Sequence, residues 1–124
     1  VNVVDSSGWL SYLAEEPNAD WFAPALEAVD QLVVPTVTIT EVFKHLSREV
    51  SEHEALKVSA YMRNAQVVDL DANLAISAAD FGLRHKLPLA DSIIFATAQA
   101  WNATLWTQDS DFEGLAGVNY RPRS

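Results

Sequence analysis

The stretch Leu89-Ala-Asp91-Ser-Ile-Ile-Phe95-Ala-Thr-Ala-Gln-Ala-Trp101 decides the reading of this chain. It follows Pro88 and carries apolar or small residues on nearly every side of a helical wheel. A helix of that kind belongs in the middle of a domain. Its first turn nonetheless holds a carboxylate, Asp91. Burying a lone carboxylate is costly, and the partial positive charge of a helix N-terminus compensates only part of that cost. A bound cation compensates more. The rest of the chain is therefore read for what it brings to Asp91.

Length and composition set bounds. At 124 residues the chain suffices for one domain with a real core and not for two, so residues 1–124 are read as a single domain. No apolar run is long enough to span a bilayer. Val1 to Val4 is too short for a signal peptide, and a cytoplasmic protein is expected. There is no Cys, which removes disulfides and thiolate metal sites. The formal net charge of −9, from 17 acids against 8 bases, argues against non-specific coating of nucleic acid. It fits a site where acids gather around a metal, or a basic partner. Solubility alone is the plain alternative.

Short apolar strands alternate with helical patterns. Strands are predicted at Val1–Val4, Leu32–Pro35, Gln66–Leu70 and Ala103–Thr107, with an edge strand at Val118–Tyr120. Helices are predicted from Ser6 or Ser7 to Ala14, and over Ala19–Leu32, Ile39–Val50, Glu52–Asn64, Ala72–His85 and Leu89–Trp101. Ser6 or Ser7 is the expected cap of the first helix, Thr36 or Thr38 of the third and Asp71 of the fifth. In the third helix, Ile39, Val42, Phe43, Leu46 and Val50 share one face, while Glu41, Lys44, His45 and Arg48 share the other. Strand–helix alternation is the pattern of an α/β protein, a three-layer α/β/α sandwich with a short, mostly parallel sheet.

In such sheets ligands bind beyond the carboxyl ends of the strands. Asp5 follows the first strand, Glu41 lies shortly after the second, Asp109 follows the Thr104–Thr107 segment and Asp91 opens the buried helix. Each has a plain structural alternative: a cap for Asp5, a first-turn acid for Glu41, turn residues for Asp109 and Asp111. Their combination favours a shared rim. Carboxylates that close together cannot all ionise without a cation. All-oxygen donors suit Mg²⁺ or Mn²⁺, and one or two such ions serve phosphodiester hydrolysis.

Four stretches then carry a resemblance: Val3-Val-Asp5-Ser-Ser7, Pro35-Thr-Val-Thr-Ile-Thr-Glu41-Val42, Leu87-Pro-Leu-Ala-Asp91-Ser-Ile-Ile-Phe-Ala-Thr-Ala98 and Leu105-Trp-Thr107-Gln-Asp109-Ser-Asp111-Phe112. In this order they resemble the PIN domain, and within it the VapC-type ribonuclease toxins of bacterial toxin–antitoxin pairs. The resemblance implies an endoribonuclease that uses Mg²⁺ or Mn²⁺, with water as the attacking group. By position it assigns Asp5, Glu41, Asp91 and Asp109 to catalysis and metal binding. Thr107 and Ser6 match supporting hydroxyl residues, and Asp111 lies in a variant of the last motif. It also implies a homodimer and a cognate antitoxin whose C-terminal peptide lies in a groove.

The remaining assignments are thinner. Lys44 and Arg48 are candidates for RNA phosphate contacts, against ordinary charge pairing on a helix face. Trp9, Leu10 and Leu13 are candidates for the antitoxin groove; Trp21 and Phe22 fit core packing better. His45, His53 and His85 are scattered and expected at the surface, with His45 notable for standing one turn from Glu41. A haloacid-dehalogenase-type phosphatase needs a second Asp where Ser7 stands. A receiver domain needs a late-strand Lys, and none follows Lys86. The rival that remains is a catalytically inactive PIN-like scaffold that binds RNA or protein.

Overall fold

A computed structural model describes residues 1–123. Its elements run β1 (Asn2–Val4), α1 (Ser6–Leu13), α2 (Ala19–Glu27), β2 (Val33–Pro35), α3 (Thr36–Glu49), α4 (Glu52–Met62), β3 (Gln66–Val68), α5 (Ala72–His85), α6 (Leu89–Ala100), β4 (Thr104–Thr107) and β5 (Val118–Tyr120). Single turns of 3-10 helix lie at Val29–Gln31 and Ser110–Phe112. Every strand pair among the described residues is parallel. One ladder has the order β1-β4-β5 and the other pairs β2 with β3. An Asn2–Leu32 bridge joins β1 to the start of β2.

The central strands are buried on both faces, as parallel strands covered by helices must be. Alternation divides their side chains between two cores. Val4 and Val34 pack with Trp9, Phe22, Leu26, Val42, Leu46, Val58 and Met62 from α1 to α4. Val3, Val33 and Leu105 pack with Ile94, Phe95 and Ala98 of α6 and with Phe112. The result is the expected α/β/α sandwich, with α5 and α6 covering one face. α6 is buried continuously from Ser92 to Ala98. Small residues let α5 approach it: a Cβ on Gly82 would stand 3.3 Å from the Cβ of Ser92.

Several expectations need correction. The cap of α1 is Asp5, not Ser6 or Ser7; its carboxylate accepts from the Gly8 N–H at 2.8 Å. The second helix stops at Glu27, and a 3-10 turn carries the chain to Leu32, which is buried at the sheet. α3 starts at Thr36 directly from Pro35, with no side-chain cap. Pro35 occupies the cap position and offers no side-chain acceptor, and Thr36 and Thr38 already lie inside the helix. Glu41 consequently stands in the second turn, not the first. Val50 ends the helix 62% exposed, off the apolar face. In α4 the buried set is Ala55, Val58 and Met62, and Leu56, expected to pack, is 54% exposed. His85 is not a plain surface residue: its ring meets those of Phe81 and Phe95. Asp71 does cap α5, accepting from the Leu74 N–H at 2.8 Å.

Gly8 fixes how closely α1 lies on the sheet. A Cβ there would stand 2.6 Å from Cγ1 of Val4 and 2.7 Å from Cε1 of Phe22. Gly8→Ala is therefore expected to destabilise the protein by about 1–3 kcal/mol, the usual scale of overpacking. Urea unfolding followed by circular dichroism measures the shift in midpoint.

Candidate functional site

The carboxyl ends of β1 and β4 meet at Asp5. Its carboxylate is 2% exposed, and the local geometry explains how it is held. The Thr107 hydroxyl donates to it at 2.6 Å, the Gly8 N–H at 2.8 Å and the Ser7 hydroxyl at 3.0 Å. Thr107 in turn accepts from the Asp109 N–H at 2.9 Å. One hydroxyl thus ties two acids that stand 104 positions apart in the sequence. Asp109 caps the following 3-10 turn by accepting from the Asp111 N–H at 2.9 Å. The plain cap and turn readings of Asp5 and Asp109 are therefore correct as local geometry, and the two carboxylates stand close enough to act on each other as like charges.

Glu41 reaches the rim from α3, where it accepts from the Ser6 hydroxyl at 2.5 Å. Asp91, in the first turn of α6, feels Asp109, Asp5, Glu41 and Asp111 as like charges. Carboxylate oxygens of Asp91, Asp109 and Asp111 lie within 4.8 Å of one another. Asp111, the weakest assignment from sequence, is thus part of the tightest triad. Asp5 and Glu41 stand outside that triad, although their charges reach Asp91. None of the ion pairs among the described residues engages any of these acids.

The energetic signature is an acidic cluster without a counterion. Burial pushes the Asp5 carboxyl up to about 6, against the lowering effect of its hydrogen bonds to Thr107, Gly8 and Ser7. Burial and then the neighbouring acids push Asp91 up to about 7. The donor set is oxygen only and partly solvent-facing, which fits a hard divalent cation such as Mg²⁺ or Mn²⁺ and not zinc.

The PIN domain family model matches residues 3–118. The chain belongs to the PIN domain family. No curated protein matches it in sequence. Among solved structures, this PIN domain superposes on a chain of a toxin–antitoxin complex from Klebsiella pneumoniae with a TM-score of 0.80, at 24% identity over 96% of each chain. It superposes on VapC20 of Mycobacterium tuberculosis, described as a sarcin-ricin-loop-cleaving toxin, with a TM-score of 0.77, at 17% identity over 94% of this chain and 95% of that one. It also superposes on a chain of VapBC2 from Rickettsia felis, bound to a DNA fragment from their promoter, with a TM-score of 0.75, at 14% identity over 99% and 98%. These likenesses establish the shared fold.

Beside the acids of this PIN domain lie residues that sequence reasoning missed. The buried Asn18 amide donates to the Gln108 side chain at 3.0 Å and to the Pro122 carbonyl at 3.1 Å. Gln108 stands between Thr107 and Asp109, so this network braces the end of β4 from the α1–α2 turn. In the sequence, Pro17-Asn18 reads simply as a break between helices. The available signal was a pair of amide residues, and nothing in their spacing joins them.

Lys44, His45 and Arg48 line a groove of about 410 Å³ together with Glu41, Ser6, Ser7, Leu10 and Thr40. Leu10 therefore borders the acidic site. Trp9 is buried in the core, whereas Leu13 and Tyr12 edge a separate, mostly apolar cavity of about 240 Å³ with Trp9, Val58 and Tyr61. Phe22 is buried, and half-buried Trp21 packs against Trp106 with ring centroids 5.0 Å apart.

The raised acids set a pH dependence. A carboxyl whose folded pKa exceeds its unfolded value of 3.8 favours folding below that value, and the contribution is lost as pH rises through the folded pKa. For Asp5 the loss spans pH 4 to about 6 and corresponds to about 3 kcal/mol; for Asp91 it extends to about 7. In EDTA, the denaturation midpoint is expected to fall between pH 5 and pH 8. Asp5→Asn should shrink that fall, as urea unfolding at each pH would show.

Proposed function

We propose that this PIN domain is a metal-dependent endoribonuclease, the toxin of a VapBC-type toxin–antitoxin pair. The observation that supports the reading is the close grouping of Asp91, Asp109 and Asp111, with the charges of Asp5 and Glu41 reaching Asp91 and no ion pair to any of them among the described residues. Asp5, Glu41, Asp91 and Asp109 would hold one or two Mg²⁺ or Mn²⁺ ions, with Asp111 beside Asp91 and Asp109. Such ions supply Lewis acidity, activating water and neutralising charge that develops on phosphate oxygens. The protein's own part is positional. Thr107 and Ser6 hold the carboxylates of Asp5 and Glu41 in place. The chain has no Cys, and no Ser–His hydrogen bond occurs among the described residues, so water is the proposed attacking group.

The partner follows by family likeness. Solved relatives of this fold occur in toxin–antitoxin complexes. A basic antitoxin segment suits a protein of net charge −9. Leu10, at the acidic rim, and Leu13, at the apolar cavity, remain the proposed contacts; Trp9 would offer only the edge that the cavity reaches. For the proposed homodimer, the exposed apolar residues Ile76 and Leu83 of α5 form the surface to cover, Leu83 being 84% exposed. No helix among the described residues is long and apolar enough to cross a membrane.

Cleavage of total cellular RNA by antitoxin-free protein tests the activity. Discrete fragments are expected with Mg²⁺ or Mn²⁺ and none with EDTA. Asp5→Asn should reduce the rate by roughly a hundredfold or more, and Thr107→Val, which removes only support, by roughly 10–100-fold. RNA bound but left intact by the wild type with either metal would identify an inactive scaffold. Separately, Leu83→Asp is expected to shift the protein from dimer to monomer in sedimentation equilibrium while leaving its circular dichroism unchanged.

A further inference from the structure

The groove beside Glu41 has a chemistry that the acidic cluster does not use. α3 presents Glu41, Lys44, His45 and Arg48 along one face, at spacings of three, four and seven residues. Seven residues at 1.5 Å each carry the face about 10 Å from the acid to the arginine. Two of the chain's eight Lys and Arg residues, and one of its three His, fall within these five positions. On a protein of net charge −9 this is a local reversal of sign. The groove they line, about 410 Å³, is also lined by Ser6, Ser7, Leu10 and Thr40, and Ser6 donates to Glu41 there.

The charges there are largely uncommitted. Neither Lys44 nor His45 enters an ion pair among the described residues. Arg48 uses its Nε on Glu49 at 2.8 Å, an exposed contact that solvent screens and that leaves the terminal nitrogens of the guanidinium free of ion pairs. A polyanion whose scissile phosphate must approach a carboxylate cluster needs compensating charge next to it. This face supplies that charge on one side only, which gives the strand a direction.

We propose that the α3 face is the track for the single-stranded RNA segment that flanks the cleaved bond. Lys44 and Arg48 hold successive phosphates, and the His45 ring offers a face on which a base stacks. Leu10 gives that base an apolar floor, and the Ser7 and Thr40 hydroxyls supply polar contacts at the edge. This rests on the ribonuclease reading of the acidic site. It adds which part of the substrate lies where, and which residues position it without acting on the reacting atoms.

Binding without cleavage tests it. In an Asp5→Asn background with EDTA, fluorescence anisotropy of a short fluorescein-labelled single-stranded RNA gives affinity against salt. Lys44→Ala and Arg48→Ala are each expected to weaken binding about tenfold. Each should also lower the slope of log affinity against log salt by about 0.7, the single-strand value per phosphate. Arg48→Lys should restore most of the loss, and Lys57→Ala, on α4, should change nothing. In the active protein with metal, Lys44→Ala should raise KM and leave kcat nearly intact. Unchanged affinity and slope in both alanine variants would overturn the track, as would an Asp5→Asn protein that does not bind this RNA. Loss of binding to a labelled polyglutamate peptide with RNA binding intact would assign the face to an acidic protein instead. Failure of the wild type to cut any RNA with metal is a different result, and it removes the nuclease reading itself.

Discussion

The structure depends on one buried carboxylate. Asp5 leaves β1 into a layer with almost no solvent, and three donors from two elements close on it: Ser7 and Gly8 of α1 and Thr107 of β4. Two of these donors also have a structural duty. Gly8 lets α1 lie against Val4 and Phe22. Thr107 turns the Asp109 backbone into place. The helix cap, the strand ending and the acidic rim are thus one arrangement. The raised pKa of Asp5 shows that these hydrogen bonds do not fully offset its burial. The same incomplete compensation recurs at Asp91, where the neighbours are acids. A fold that gathers negative charge in this way is stable only within limits set by protons or cations.

Much of the architecture was legible because strands and helices write different periods. Val3 and Val4, and Val33 and Val34, are adjacent apolar pairs, the signature of strands covered on both faces, and the structure sends them to opposite cores. The uniformly apolar α6 was legible as a central helix for the same reason. Boundaries were harder. Nothing local distinguishes Asp5 from Ser6 or Ser7 as a cap; the choice is made by Glu41, which engages Ser6, and by Thr107, which engages Asp5. Leu56 reads as a packing residue by type, but the packing of neighbouring helices decided the phase, and it faces outward.

The acids were legible as candidates because Asp5 and Asp109 follow strands, Asp91 opens a helix and Glu41 lies one turn into the helix that leaves β2. Their relative distances were not. Asp111 joins Asp91 and Asp109 because the Ser110–Phe112 turn folds back, and Phe112 anchors that turn in the core. The bracing amides Asn18 and Gln108 left no pattern at all, since a hydrogen bond between distant loops has no period. The segregation of charge on α3 was visible in the sequence, but its meaning came only when its acidic end was found beside Ser6.

The bond between Thr107 and Asp5 spans almost the whole chain. During synthesis the N-terminal acids emerge first, and domains generally fold as units. Asp5 and Glu41 are made long before the strand that carries Thr107 and Asp109. Until β4 has left the ribosome and slotted beside β1, the acids have no common rim. An unfinished chain therefore contains most of these acids without bringing them together. For a protein proposed to attack RNA, this order of assembly places any activity after β4 has been made and has paired with β1.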